Sequence, residues 1–189
     1  MDEWVRRALA KWPDVPALFG WLGLSRRGHW LIQGERITHP RIVETIARNY
    51  AVDAHGRWFF QNGPQRGYVQ LEAAPLILRA DGEGLCTHTG AAVTEPTGTW
   101  LDEHGNLLMA TEHGPAQLDD TEAEWLLEHL KARTACPDSE TLEAALATSS
   151  GEATPLSLRL GDQALPLGRL DQADAPAALG FIREPQPES

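Results

Sequence analysis

Cysteine is scarce in this chain of 189 residues: Cys86 and Cys136 stand far apart and outside any paired spacing. That excludes a disulfide framework and a zinc ribbon, and leaves two reduced thiols as the expectation. Long apolar runs are missing too, since no stretch approaches the roughly 18 residues of a membrane span. The first thirty residues lack the basic patch, unbroken apolar run and small-residue cleavage site of an export signal. A cytoplasmic protein without membrane contact is therefore expected. No Gly-x-Ser-x-Gly elbow or His-Glu-x-x-His helix occurs, and Gly82-Glu83-Gly84 lacks the third glycine of a dinucleotide loop and opens no helix. No cofactor is expected.

What is present is ordinary globular usage, with 42% hydrophobic and 23% charged residues, enough to bury a core. The formal net charge of -11 is spread unevenly. Residues 1 to 80 hold 11 Lys+Arg against 7 Asp+Glu, and residues 81 to 189 hold 5 against 20. This reads as a basic N-terminal α+β lobe (1-98), an acidic C-terminal α+β lobe (99-183) and a polar tail (184-189).

Periodicity supplies the elements. Val5, Ala8, Leu9 and Trp12 recur at helical spacing until Pro13 and Pro16 stop the helix. Phe19 to Leu24 reads as a buried turn or short strand. Within Gly28 to Ile37 two short apolar runs flank Gly34-Glu35 as a hairpin. Thr38 then caps a helix to Tyr50 whose inward stripe is Ile42, Val43, Ile46 and Tyr50. Asp53-Ala54-His55-Gly56 is a turn, followed by strands at Arg57 to Phe60, Gly67 to Glu72 and Leu76 to Leu78, expected to form a small antiparallel sheet.

A second turn, Asp102 to Asn106, leads through Leu107 to Ala110 and a cap at Asp119 into a helix with Ala123, Leu126, Leu127 and Leu130 inward. Residues 138 to 147 form a further helix. Leu156, Leu158 and Leu160 alternate as a strand that turns at Gly161-Asp162 and precedes a helix over Asp171 to Leu179. The expected architecture is α+β, with β-hairpin–helix units repeated in two lobes.

Seven histidines prompt a metal search, but a structural zinc site needs four convergent ligands, and no second pair accompanies Cys86-Thr87-His88. Asp119, Asp120, Glu122 and Glu124 cluster where a helix start stabilises carboxylates. Arg57, Arg66 and Arg79 lie among Trp58, Phe59, Phe60 and Tyr68, the mixture used by single-stranded nucleic-acid sheets, though an acidic chain opposes a polyanion. Asn62-Gly63-Pro64 forms a tight turn projecting Gln61, Gln65 and Arg66 as a polar grip.

The runs Lys11 to Pro16, Gly20 to Leu24, Arg48 to Tyr50 and above all Arg57 to Glu72 resemble a proteobacterial family of unknown function, closely over roughly the first 95 residues and loosely beyond. The resemblance implies no activity, cofactor or catalytic residue. Trp30 to Ile46 and Trp58 to Leu78 are similar to another uncharacterised bacterial family, whose two-lobed folds with repeated strand-helix motifs imply a signalling role.

Three functions from different classes follow. The first is a non-enzymatic binding or regulatory protein that takes a protein or small-molecule ligand through Trp58, Gln61, Asn62, Gln65, Arg66, Tyr68 and Arg79. The second is an enzyme with Cys86, His88 and Glu83 in a cleft. The third is a single-stranded nucleic-acid binder.

Overall fold

The structure, a computed structural model, describes residues 1–12, 15–132 and 135–187. Pro13, expected to stop the first helix, and the last two residues of the expected tail lie outside the described residues. The chain forms two compact units: Met1–Pro75 with the segment from Gly180 onward, and Leu76–Leu179. Strands following Pro75 therefore group with the second unit.

The first unit opens with α1 (Glu3–Lys11), whose one buried side chain is Val5. The Asp2 amide donates to Asn49 Oδ1 at 2.8 Å, and Asn49 Nδ2 donates to Asp2 Oδ2 at 3.1 Å, which ties the helix start to a fully buried asparagine. The strands are β1 (Leu18–Leu24), β2 (Trp30–Ile32), β3 (Glu35–Arg36), β4 (Tyr50–Val52), β5 (Trp58–Asn62) and β6 (Gln65–Leu71), with α2 (Pro40–Arg48) between β3 and β4. They order as β3-β2-β1-β6-β5-β4.

The α+β class is as expected, but the sheets are mixed, because β1 and β6 run parallel. A hairpin, a helix and another hairpin separate these two strands, which supplies the long crossover that parallel neighbours require. Gln33 and Gly34, at φ 49 and 83, make the β2–β3 turn in place of the expected Gly34-Glu35. Thr38 does not cap α2. His39 holds that place without a side-chain bond, and Pro40 starts the helix through its preset φ. The helix ends at Arg48, so Tyr50 belongs to β4, and of the expected stripe Ile46 is buried while Ile42 is 47% exposed.

The second unit holds β7 (Leu76–Asp81), β8 (Gly84–Thr87), β9 (Ala92–Val93), β10 (Gly98–Leu101), β11 (Leu107–Thr111), β12 (Gly114–Leu118), α3 (Ala123–His129), β13 (Leu130–Ala132), α4 (Ser139–Ala147), β14 (Ala153–Leu160), β15 (Gln163–Arg169) and α5 (Ala175–Leu179). The order is β13-β14-β15-β10-β11-β12-β7-β8-β9, with β10–β15 and β12–β7 parallel. Asp119 accepts the Thr121 amide at 3.0 Å and so caps a 3-10 turn, Asp120–Glu122, that leads into α3. Leu126 is buried, whereas Leu127, one step round the helix, is exposed, and Leu130 points inward from β13 instead of from the helix. Leu156, Leu158 and Leu160 line the buried face of β14.

The repeat is a sheet motif. The order β3-β2-β1-β6-β5-β4 recurs as β9-β8-β7-β12-β11-β10, including the parallel central pair. Tyr50↔Phe60 and Val52↔Trp58 match Thr99↔Met109 and Leu101↔Leu107, a constant shift of 49 residues (50 to 99, 60 to 109). The next hairpin keeps that shift, with Asn62↔Gln65 against Thr111↔Gly114. No helix matches α2, because β9 passes to β10 through a short loop. The hairpin–helix units expected from periodicity are present as β2-β3-α2, β11-β12-α3 and β14-β15-α5, but the repeat whose registers match is the six-stranded sheet.

Both copies turn on a buried carboxylate. Asp53 Oδ1 accepts the His55 and Arg57 amides at 2.9 and 3.0 Å, and Asp102 Oδ1 accepts the His104 and Asn106 amides at 2.8 Å each. Four residues after each aspartate a side chain closes the turn on Oδ2: Arg57 Nε at 2.8 Å and Asn106 Nδ2 at 2.7 Å.

Candidate functional site

The concave features of the first unit follow from an irregularity in β1. Leu18 pairs with Gly67 and Leu22 with Val69, so three residues of β1 oppose one of β6. Gly20, at φ 74, absorbs the extra length, a left-handed conformation that a side chain would disfavour. The bulge turns Trp21 outward, leaving it 55% exposed.

Trp21 borders a groove of about 220 Å³ beside α2. Leu22, Ile46 and Phe60 make its floor, Leu18, Ile32 and Ile42 its walls, and the amides of Asn62 and Gln65 one end. Leu18, Trp21, Ile32 and Ile42 are each more than two-fifths exposed. Single exposed apolar residues are ordinary, but four converging on one concavity form a patch of the kind that marks an interaction surface.

Trp21 also borders a larger cleft of about 560 Å³ with Gln33, Gln70, Glu72, Arg183 and Glu184. Two of its charged groups hold loops: Glu72 Oε2 accepts the Arg26 amide at 3.1 Å, and Arg183 Nε donates to the Ala73 carbonyl at 3.1 Å.

The residues singled out from sequence are distributed unevenly. Asn62 and Gln65 lie at the groove, and Gln65 Nε2 donates to the Pro16 carbonyl at 3.2 Å. Gln61 is fully buried: its Nε2 donates to the Gly63 and Gln65 carbonyls at 3.0 and 3.2 Å, and its Oε1 accepts Arg66 Nε at 3.2 Å. It fastens the hairpin from inside. Arg66 lies over the Phe59 ring at 4.5 Å. Tyr68 is buried, stacks on Phe19 at 4.5 Å and donates its hydroxyl to Asp53. Trp58 sits in the core against Tyr50 at 4.8 Å. Arg79 belongs to the second unit, 3.6 Å from Asp119.

Cys86, His88 and Glu83 do not assemble as reacting groups. Burial, then the nearby Asp81 charge, push the Cys86 thiol up, away from the thiolate a nucleophile needs. His88 accepts the Ile77 amide on Nδ1 at 3.2 Å, and burial followed by the Arg79 charge lowers its pKa to about 3, so it is neutral at physiological pH. Glu83 instead lies 3.7 Å from His129 Nε2. Among the described residues no group of three or more His, Cys, Asp or Glu could hold a metal ion, and no helix is long and apolar enough to cross a membrane.

The family DUF2944, described as "Protein of unknown function (DUF2946)", matches residues 1–186. The chain belongs to that family. The match spans both units, well beyond the N-terminal stretch on which the sequence resemblance was strongest. In fold, the chain is similar to a DUF1285 family protein from Silicibacter pomeroyi DSS-3, with 14% identity, 85% of this chain and 86% of that one covered, and a TM-score of 0.53. A second DUF1285 family protein, from Shewanella baltica OS155, is 16% identical over 57% of this chain and 90% of its own, with a TM-score of 0.42. At such identity the first likeness is one of architecture, and function has to be argued from the site. No curated protein matches the chain.

Sequence reasoning passed over Leu18, Trp21 and Ile32, and placed Ile42 inward. The available signal was Gly20 beside Trp21, a glycine that interrupts the strand where it bulges.

Proposed function

We propose that this protein is a non-enzymatic binding protein that docks a partner protein through the groove beside α2. One observation carries the reading: Leu18, Trp21, Ile32 and Ile42 stay exposed while converging on an apolar floor. Size argues for the class of ligand. About 220 Å³ is below the roughly 300–1,000 Å³ of small-molecule pockets, and suits one or two anchor side chains of a protein partner. Asn62 and Gln65 supply amide groups that pair with the main chain beside such an anchor.

A peptide library displayed on phage and selected on the whole protein tests this. Selected peptides should carry an aromatic or aliphatic anchor, and should bind a Trp21→Ser/Ile42→Ser double variant at least tenfold more weakly. The double variant should keep its stability within about 1 kcal/mol, since both side chains are half outside the core. Trp30→Ala, by contrast, removes a ring that is 1% exposed and should cost about 3–5 kcal/mol. Peptides that bind wild type and double variant equally would defeat the groove assignment.

A further inference from the structure

The internal repeat shows what belongs on an edge that the first unit leaves uncovered. In the second unit the outer side of β10 is completed by β15, running parallel at Thr99↔Leu167, Trp100↔Gly168 and Leu101↔Arg169. The Leu101 carbonyl accepts the Leu170 amide at 3.1 Å and Arg169 Nη1 at 2.6 Å. The counterpart of β10 is β4, and there the sheet ends: among the described residues no strand pairs with its outer side. Leu101 is 2% exposed, and its counterpart Val52 is 47% exposed.

The backbone of β4 faces outward at the same place. The Asp53 amide bonds the Arg57 carbonyl, and the Asn49 carbonyl takes the Gln61 amide. With Ala51 opposite Phe59, alternate residues face β5, so Val52 turns its amide and carbonyl away from the sheet. Asp102 and Asn106 make the same bond, in the same direction, beside Leu101.

We propose that the outer edge of β4 accepts an extended segment of a partner protein as an added strand parallel to β4. Strand addition of this kind draws affinity from main-chain bonds and specificity from alternate side chains. The repeat defines the chemistry of that segment. Positions beside Tyr50 and Val52 correspond to Leu167 and Arg169, both buried, so the first residue is apolar and the third is an arginine, whose counterpart bonds the Leu101 carbonyl. The middle position is freer than in the second unit. There a side chain at Gly168 would come within 2.7 Å of the Trp100 ring, whereas the first unit has Ala51 in place of Trp100. The incoming segment therefore reads apolar, any, arginine. This site does not depend on the groove beside α2.

The probe is a fluorescein-labelled synthetic peptide reproducing residues 163 to 170, titrated by anisotropy against the full chain. Saturable binding is expected, with the Val52 amide gaining protection from hydrogen exchange. Val52→Pro, which deletes that amide at an edge position proline can occupy, should weaken binding at least tenfold. Val52→Lys, which keeps the backbone intact and places a charge on the edge, should do the same if the proline variant fails to fold. Absence of saturable binding up to about 1 mM, or equal binding by wild type and the lysine variant, overturns the proposal. A dimer in sedimentation that Val52→Lys dissolves would also overturn it, assigning the edge to a second copy of this chain.

Discussion

The Tyr68 hydroxyl donates to Asp53 Oδ2 at 3.0 Å, on the same oxygen that takes Arg57 Nε at 2.8 Å. One carboxylate thus joins the turn after β4 to the middle of β6. Burial alone would raise its pKa, but the Arg57 guanidinium, the Arg57 and His55 amides and the Tyr68 hydroxyl outweigh burial and hold it at about 2. The folded value lies below the unfolded value of about 3.9. The resulting stabilisation is complete above the unfolded value and is lost as pH falls from about 4 through about 2. It amounts to about 2–3 kcal/mol. Asp53→Asn should lower stability by about that amount at pH 7, with the gap to wild type closing between pH 4 and 2. Urea midpoints that fall in parallel for both proteins over this range would contradict the account.

Gly56 and Gly105 occupy the same position of the two carboxylate turns, at φ 77 and 83. A Cβ on Gly105 meets nothing within 4 Å, while one on Gly56 would lie 2.5 Å from the Gly180 carbonyl. Gly105→Ala should therefore cost only the left-handed backbone penalty, about 1–2 kcal/mol. Gly56→Ala must also displace the returning chain, and should cost on the order of 3 kcal/mol. Equal denaturation midpoints for the two variants would refute the close approach.

The thiols separate two classes of function. Cys86 is half-buried with its thiol pushed up, and Cys136 is exposed. Iodoacetamide at pH 8 should alkylate Cys136 several-fold faster than Cys86, as followed by peptide mass spectrometry. A Cys86 that reacts faster than a free model thiol would restore the reading of a nucleophile beside His88.

Legibility varied with the range of the interaction. The alternation of Leu156, Leu158 and Leu160 and the cap at Asp119 are local, and the structure has both where periodicity and capping chemistry placed them. The groove was not legible. Trp21 reads as one more core aromatic until a bulge opposite Tyr68 turns it outward, and that bulge depends on pairing with a strand far along the chain. Gln61 reads as part of a polar grip because nothing in its neighbours shows that three partners lie inside the hairpin. The two Asp-x-His-Gly turns were visible as separate turns, but their equivalence emerges only from matched strand registers.

By itself the sequence determined the α+β class, most strand and helix positions and the two left-handed glycine turns, because these depend on side-chain periodicity and on backbone conformations only certain residues adopt. Tertiary structure alone decided the parallel central pairs, the repeat of six strands, the exposure of Trp21 and the bare edge at Val52. Those features are set by which distant strands meet and in what register, and many registers satisfy the same local pattern until burial of a shared core selects one.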